Sequence, residues 1–286
     1  MGPICAALKF PSSTYYAVKR REVEPSTRAV RDEELKEQIM RVWDQPGPGK
    51  RIYGARKIWL EMNAAGIEVG RCTVERLMRE LGIRGVGTPA KKPRTTVVSD
   101  TVERPCDLLE RDFGAEVPNA RWVADITYVP TASGWCYTAF VMDLYSRGIV
   151  GWATADHMRT ELALDALEMA IWTRRHRIDG PLVHHSDRGV QYTSICYTDR
   201  LDELGAARSV GSKGDSYDNG AAESLNSLYK RELIDLRGPW KELADVTKAT
   251  MDWVDWYNNN RLHSYCNNVP PFRYEEAFYR RHQSAA

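Results

Sequence analysis

Along residues 31–43 (RDEELKEQIMRVW) apolar positions recur with a helical period, and the QPGPGK that follows ends the helix, because proline has no amide donor and glycine is entropically costly. Ala55, Ile58, Trp59 and Met62 then fall at i, i+3, i+4 and i+7. After Gly66, Val74, Leu77, Met78 and Leu81 repeat that spacing up to Gly82. Two short helices sharing one small core are predicted, with a brief connector over 66–71. Arg76 and Arg79 stand off the apolar stripe of the second helix, which suits a helix-turn-helix whose second helix enters a major groove. Over residues 85–119 (from GVGTPAKKPRTTVVSD) no period persists and Gly, Thr and Pro dominate, as in an interdomain linker.

Beyond the linker the period changes. WVADITYV (122–129), WCYTAFVM (135–142) and IVGWAT (149–154) are short apolar runs rich in strand formers. A helix over 160–172, a strand over 182–186, a helix over 194–204, a strand over 207–210 and helices over 216–233 and 241–258 follow. Three strands, then helix, strand, helix, strand, helix is the order of a ribonuclease-H-like α/β fold. The expected organisation is an N-terminal helical segment (1–45), a helix-turn-helix DNA-binding region (46–86), a basic linker (87–118) and a catalytic core with a C-terminal helical extension (119–280).

With 43% hydrophobic and 28% charged residues, the composition excludes disordered and fibrous classes. No stretch reaches 18 uninterrupted apolar residues and the start has no signal-peptide pattern, so a cytoplasmic, nucleoid-associated protein is expected. The six cysteines show no C-x-x-C pair, hence neither a disulfide framework nor a zinc module. The formal net charge of +1 hides an asymmetry: residues 45–95 carry eleven Lys and Arg against four Glu. That stretch supplies the candidate DNA contacts Arg56, Lys57, Arg71, Arg76, Arg79, Lys91 and Lys92, and Arg94 extends the linker's basic cluster.

Candidate chemistry rests on three carboxylates. Asp125 interrupts an otherwise apolar strand, where an unpartnered charge costs several kcal/mol. Asp187 closes the strand LVHHSD, where open sheets place ligands. Glu223 lies on a helix whose polar stripe is Asn219, Glu223, Asn226, Ser227 and Lys230, with Ala222, Leu225, Tyr229 and Leu233 turned to the sheet. Carboxylate oxygens suit magnesium, which keeps coordination positions for water and phosphate. Two such ions clamp the attacking and leaving oxygens of a phosphodiester displacement. Competing readings are structural: Asp143 as a turn residue, His184 and His185 as core histidines, Trp253 and Trp256 as core. Arg188 is balanced between phosphate binding and an ion pair, and Tyr192 is a candidate base contact.

Asp125, Asp187 and Glu223 are separated by 61 and 35 residues, and their surroundings read RWVADITYVPT, HHSDRGVQYTS and SYDNGAAESLNSLYKREL. In these motifs the chain resembles insertion-sequence transposases of the second-frame (OrfB) type, whose integrase core carries a D, D, E triad. YGARKIWLEMNAAGIEVGRCTVERLMRELGIRG and WVDWYNNNRLH extend the resemblance over roughly residues 12–275. It implies that Asp125, Asp187 and Glu223 are catalytic and ligate two Mg2+ ions, with Mn2+ able to substitute, and that Lys230 contacts DNA near the cut. It also implies binding of terminal inverted repeats, phosphodiester hydrolysis and strand transfer, a homo-oligomer on DNA, and a first-frame protein, fused or separate, upstream of this chain. The rival readings are a nuclease of the same fold and a non-catalytic DNA-binding regulator. One departure is Gly220-Ala221 after DN, where the family more often has Ala and a larger apolar residue; glycine in a first helical turn costs up to about 1 kcal/mol relative to alanine.

Overall fold

The computed structural model describes residues 11–87, 114–187, 189–210 and 219–283. Lys91, Lys92, Arg94 and Arg188 lie outside these, as does the start of the helix predicted over 216–233. The chain forms two units, Met1–Gly87 and Thr88–Ala286.

In the first unit, α1 (Ser12–Val23) precedes α2 (Thr27–Trp43). The sequence pattern places the start of α2 at residue 31, and the helix begins a turn earlier because Ser26 caps it, its Oγ accepting the Ala29 N–H at 3.2 Å. The predicted pair follows as α3 (Ala55–Ala64) and α4 (Arg71–Glu80). Both end alike. Ile67 N–H reaches the Met62 carbonyl and Ile83 N–H the Met78 carbonyl, around Gly66 and Gly82 at φ +80° and +67°. Leu35 and Ile39 of α2 are buried, as are Ile58, Met62, Val74, Leu77 and Met78 of the pair. Trp59 Nε1 donates to the Val69 carbonyl at 2.8 Å and fixes the connector between the two helices.

The second unit is built on a five-stranded sheet of β1 (Arg121–Thr131), β2 (Gly134–Asp143), β3 (Ile149–Ala155), β4 (Val183–Ser186) and β5 (Ala207–Val210), in the order β3-β2-β1-β4-β5. The β1–β2 and β2–β3 pairs are antiparallel, while β1–β4 and β4–β5 are parallel. Tight turns suffice for the first two; the parallel pairs need crossovers, supplied by α5 (Thr160–Arg174) and α6 (Ile195–Glu203). Alternation along β1 then feeds two cores. Trp122 and Ala124 join Leu162, Ala166 and Leu167 of α5 and Tyr197 and Leu201 of α6. Val123 and Val129 join α7 (Gly220–Tyr229) and α8 (Leu243–Asn259) through Ala222, Leu225, Tyr229, Val246, Trp253 and Tyr257. This is the ribonuclease-H-like order read from the sequence.

α7 continues through a π-helical turn (Lys230–Ile234) into Asp235–Arg237. A last helix, α9 (Pro271–Gln283), closes the end of the sheet. Its Glu275 is buried and takes both Nη1 and Nη2 of Arg174, while Tyr274 and Phe278 pack on Tyr145. No described helix is long and apolar enough to cross a membrane.

Candidate active site

Strand register brings the first two carboxylates together. Ala124 of β1 pairs with Ser186 of parallel β4, so Asp125 follows on β1 and Asp187 directly after the end of β4. Such strands lie about 4.8 Å apart. The third comes from α7, whose apolar side seats Ala222, Leu225 and Tyr229 on β1 and β2 and whose polar stripe therefore runs along β1. Asn219 Nδ2 donates to the Ala124 carbonyl at 3.2 Å, Asn226 Nδ2 donates to Asp125 Oδ2 at 2.8 Å, and Lys230 Nζ sits 3.9 Å from the Tyr128 ring centre. Glu223 is exposed between the two asparagines.

The electrostatics of Asp125 record the convergence. Burial, then the charges of Asp187 and Glu223, push its carboxyl up to about 8, against the hydrogen bonds from Ile126 N–H and Asn226. Asp187 is raised by desolvation too, although Gly189 N–H donates to its Oδ1 at 2.8 Å. Asp125 is inside the electrostatic reach of both other carboxylates. Among the described residues, however, no three His, Cys, Asp or Glu side chains stand close enough to hold a metal ion. The donor set is all oxygen, as a hard cation requires. Three buried polar atoms near Asp125 also lack partners: Asn219 Oδ1, Asn226 Oδ1 and the Tyr192 hydroxyl. In chemistry the site fits a divalent ion; in side-chain placement it is looser than a formed metal centre.

The other candidates separate. Asp143 is buried and accepts from Asn119 N–H, Ser146 N–H and Ser146 Oγ, the turn residue expected of it. His184 is buried against the Tyr197 hydroxyl at 3.0 Å, and burial lowers it to about 3, so it is neutral; His185 Nδ1 meets Ser209 Oγ at 2.8 Å. Trp253 is core and Trp256 packs on the same cluster. Tyr192 is buried, which removes it as a base contact and makes it a wall of the site, close enough to feel Asp125 and Asp187.

In the first unit the candidate DNA contacts differ in kind. Arg76 spans two elements, its Nη2 on Asp32 of α2 and its Nη1 on Glu80, each at 2.7 Å. Arg71 Nε lies on Glu75 at 2.8 Å, and Lys57 Nζ is 4.9 Å from the Tyr53 ring centre. Arg56 and Arg79 are exposed. Periodicity placed Arg76 off the apolar stripe, but only the packing of α2 beside α4 shows that it is a strut.

Reading by residue type alone also passed over Asn226 as the group that orients Asp125, and Gly189. An added Cβ at Gly189 would meet Asp187 Oδ1 and Gln191 Oε1 at 2.9 Å each. The signal for Asn226 was its place three residues after Glu223, on the same stripe.

Comparison with known proteins accords with these features. The family "Integrase core domain" matches residues 115–216 and, in a second form, 204–271, and "HTH-like domain" matches 30–92. The "Putative transposase for insertion sequence element IS986/IS6110" of Mycobacterium tuberculosis (strain ATCC 25177 / H37Ra) is 51% identical over 279 residues, covering 96% of this chain and 98% of that protein. The "Transposase for insertion sequence element IS629" of Shigella sonnei is 46% identical, covering 98% and 92%. Among solved structures, the magnesium complex of the HTLV-2 integrase catalytic core in trimeric form aligns with a TM-score of 0.44 at 15% identity, over 56% of this chain and 98% of that one. With an integrase core, a helix-turn-helix-like domain and near-complete alignment to such relatives, the chain belongs to the insertion-sequence transposases of the second-frame type, proteins that act on DNA.

Proposed function

We propose that this transposase binds the terminal inverted repeats of its element, hydrolyses a phosphodiester bond there and transfers the freed 3′-hydroxyl to a second phosphodiester, with Asp125, Asp187 and Glu223 as catalytic residues. The observation that carries the reading is geometric: the parallel β1–β4 register sets Asp125 beside Asp187, and the helix that bears Glu223 donates to Asp125 through Asn226. Those three carboxylates would hold two Mg2+ ions, or Mn2+, which when bound activate the attacking oxygen and stabilise the leaving one. The surrounding residues fix the set. Asn226 orients the Asp125 carboxylate, Gly189 N–H orients that of Asp187, and Asn219 ties the start of α7 to β1 so that the helix carrying Glu223 is held along that strand. Tyr192 keeps solvent from the floor.

DNA is held by both units. In the first, Arg79 and Arg56 reach for DNA, with Arg71 and Lys57 beside them. Lys91, Lys92 and Arg188 add charge outside the described residues, and Lys230 adds it beside the site. A homo-oligomer brings two ends together, and a first-frame protein, fused or separate, completes end recognition.

The test is strand transfer on matching end DNA with magnesium. Glu223→Gln, which keeps size and removes charge, is expected to lower joining by roughly a thousandfold with binding retained. Full joining by that variant sinks the assignment.

A further inference from the structure

Two aromatic rings stand on the surface of the hairpin whose first strand carries Asp125. Tyr128 and Trp135 are 54% and 55% exposed, on adjacent strands of the β1–β2 hairpin, with ring centres 5.3 Å apart and planes at 81°. Lys230 lies over the Tyr128 ring. A hairpin tip is ordinarily mobile, but this one is fastened: Ala132 N–H and Ser133 N–H donate to the carbonyls of Trp240 and Lys241, and Ser133 Oγ donates to Lys241 as well. The backbone that bears the rings is thus already ordered, which lowers the cost of using them as a binding platform.

Their position follows from α7. Asn226 and Lys230, one turn apart on one side of the helix, touch Asp125 and Tyr128, three residues apart on β1. Three strand residues to Tyr128 span about 10 Å, and five to Pro130, opposite Trp135, about 17 Å, or about three to five nucleotide steps of a DNA strand. A cation beside exposed aromatic faces is the combination that holds single-stranded nucleic acid, the rings stacking on bases and the ammonium meeting the phosphate. A protein partner would be better served by a broad apolar patch, whereas these rings are flanked by Lys230 and lie beside a site for DNA.

We propose that Tyr128, Trp135 and Lys230 form a stacking platform for an unpaired nucleobase a few nucleotides from the scissile phosphate. The proposal rests on the carboxylate site being where DNA is cut. An end frayed onto this platform keeps the terminal phosphodiester accessible, which a fully paired duplex does not.

The test uses the full chain in magnesium-free buffer and duplexes whose short unpaired tail carries 2-aminopurine at one position at a time. The wild-type protein is expected to quench the probe at one or two positions. Trp135→Ala should abolish that quenching and weaken tailed-duplex binding by about tenfold, while binding of the fully paired duplex stays within about twofold. Tyr128→Phe should retain the signal, since it keeps the ring. Thermal melts check that the variants fold; Trp135, on the surface, remains the deciding residue where Tyr128→Ala does not fold. Unchanged quenching in Trp135→Ala, equal loss on both duplexes, or an altered oligomeric state with intact DNA affinity each overturn the proposal. Joining by the wild-type protein with magnesium is measured alongside. Trp135-dependent quenching without joining leaves the platform standing and removes the strand-transfer reading.

Discussion

Asp125 carries the largest electrostatic load in the site, and its behaviour sets two predictions. Its folded value, about 8, lies above the ordinary 3.8 because burial and the charges of Asp187 and Glu223 oppose ionisation. The folded state therefore binds a proton that the unfolded state has lost, so stability is highest below this window and falls as pH rises through it. Asp143, raised to about 6, acts in the same sense lower down, and His184, held neutral, acts oppositely as pH falls below its ordinary 6.5. Between about pH 6.5 and 8 Asp125 dominates. Thermal melts of chelator-treated protein should show a falling Tm across that interval, and Asp125→Asn should flatten it. Magnesium at pH 8 should raise the Tm of the wild type and not that of Asp125→Asn, because a ligand of the folded state stabilises it. Gly189 adds a steric prediction. Alanine there presses on Asp187 Oδ1, so Gly189→Ala should reduce joining by about tenfold or more with DNA affinity unchanged in a filter-binding assay.

Elements decide which charges are structural. Arg174 of α5 and Glu275 of α9 form a doubly hydrogen-bonded pair buried beneath Phe272, with Arg177 at its rim. Removing one partner leaves a buried charge, so Glu275→Gln should cost about 3 to 5 kcal/mol in urea unfolding. The double variant Arg174→Met, Glu275→Leu should recover much of that loss, because neither charge then remains buried. In the first unit Arg76 joins α2 to α4, whereas Arg79 faces solvent in the last turn of α4. Arg79→Ala should lower DNA affinity and reduce the slope of log K against log salt by about one, with Tm unchanged. Arg76→Ala should instead lower the Tm of this unit modestly, as its bridge is partly exposed. The reverse pattern would make Arg76 the DNA reader.

At the scale of the molecule, two units each have a core, and each is expected to unfold by itself. Deleting residues 1–87 should leave the melting of the remainder within a few degrees and abolish sequence-specific binding of end DNA, measured by competition with unrelated duplex. The integrase core would then retain metal-dependent contact with DNA but lose its address. This division also explains the near-neutral total charge: excess positive charge is concentrated over residues 45–95, and the core carries the carboxylates.

Periodicity by itself determined the strands, the central helices and the ribonuclease-H-like order, since burial of one face imposes a period that the local sequence must carry, but not the separate helices Ser12–Val23 and Pro271–Gln283. The spacing of Asp125, Asp187 and Glu223 named the candidate triad for the same local reason, each residue sitting in a short motif. Tertiary structure decided what depends on residues distant in the chain. Parallel β1–β4 register sets Asp125 beside Asp187, and α7 lays Asn226 and Lys230 along β1. Packing of α2 turns Arg76 into a strut, and burial removes Tyr192 from the DNA-facing surface. A side chain's partners are fixed by which elements pack together, and local periodicity holds no record of that choice. The triad was therefore legible as a list, while the raised proton affinity of Asp125 and Asp187 and the groups that orient them belong to the folded chain alone.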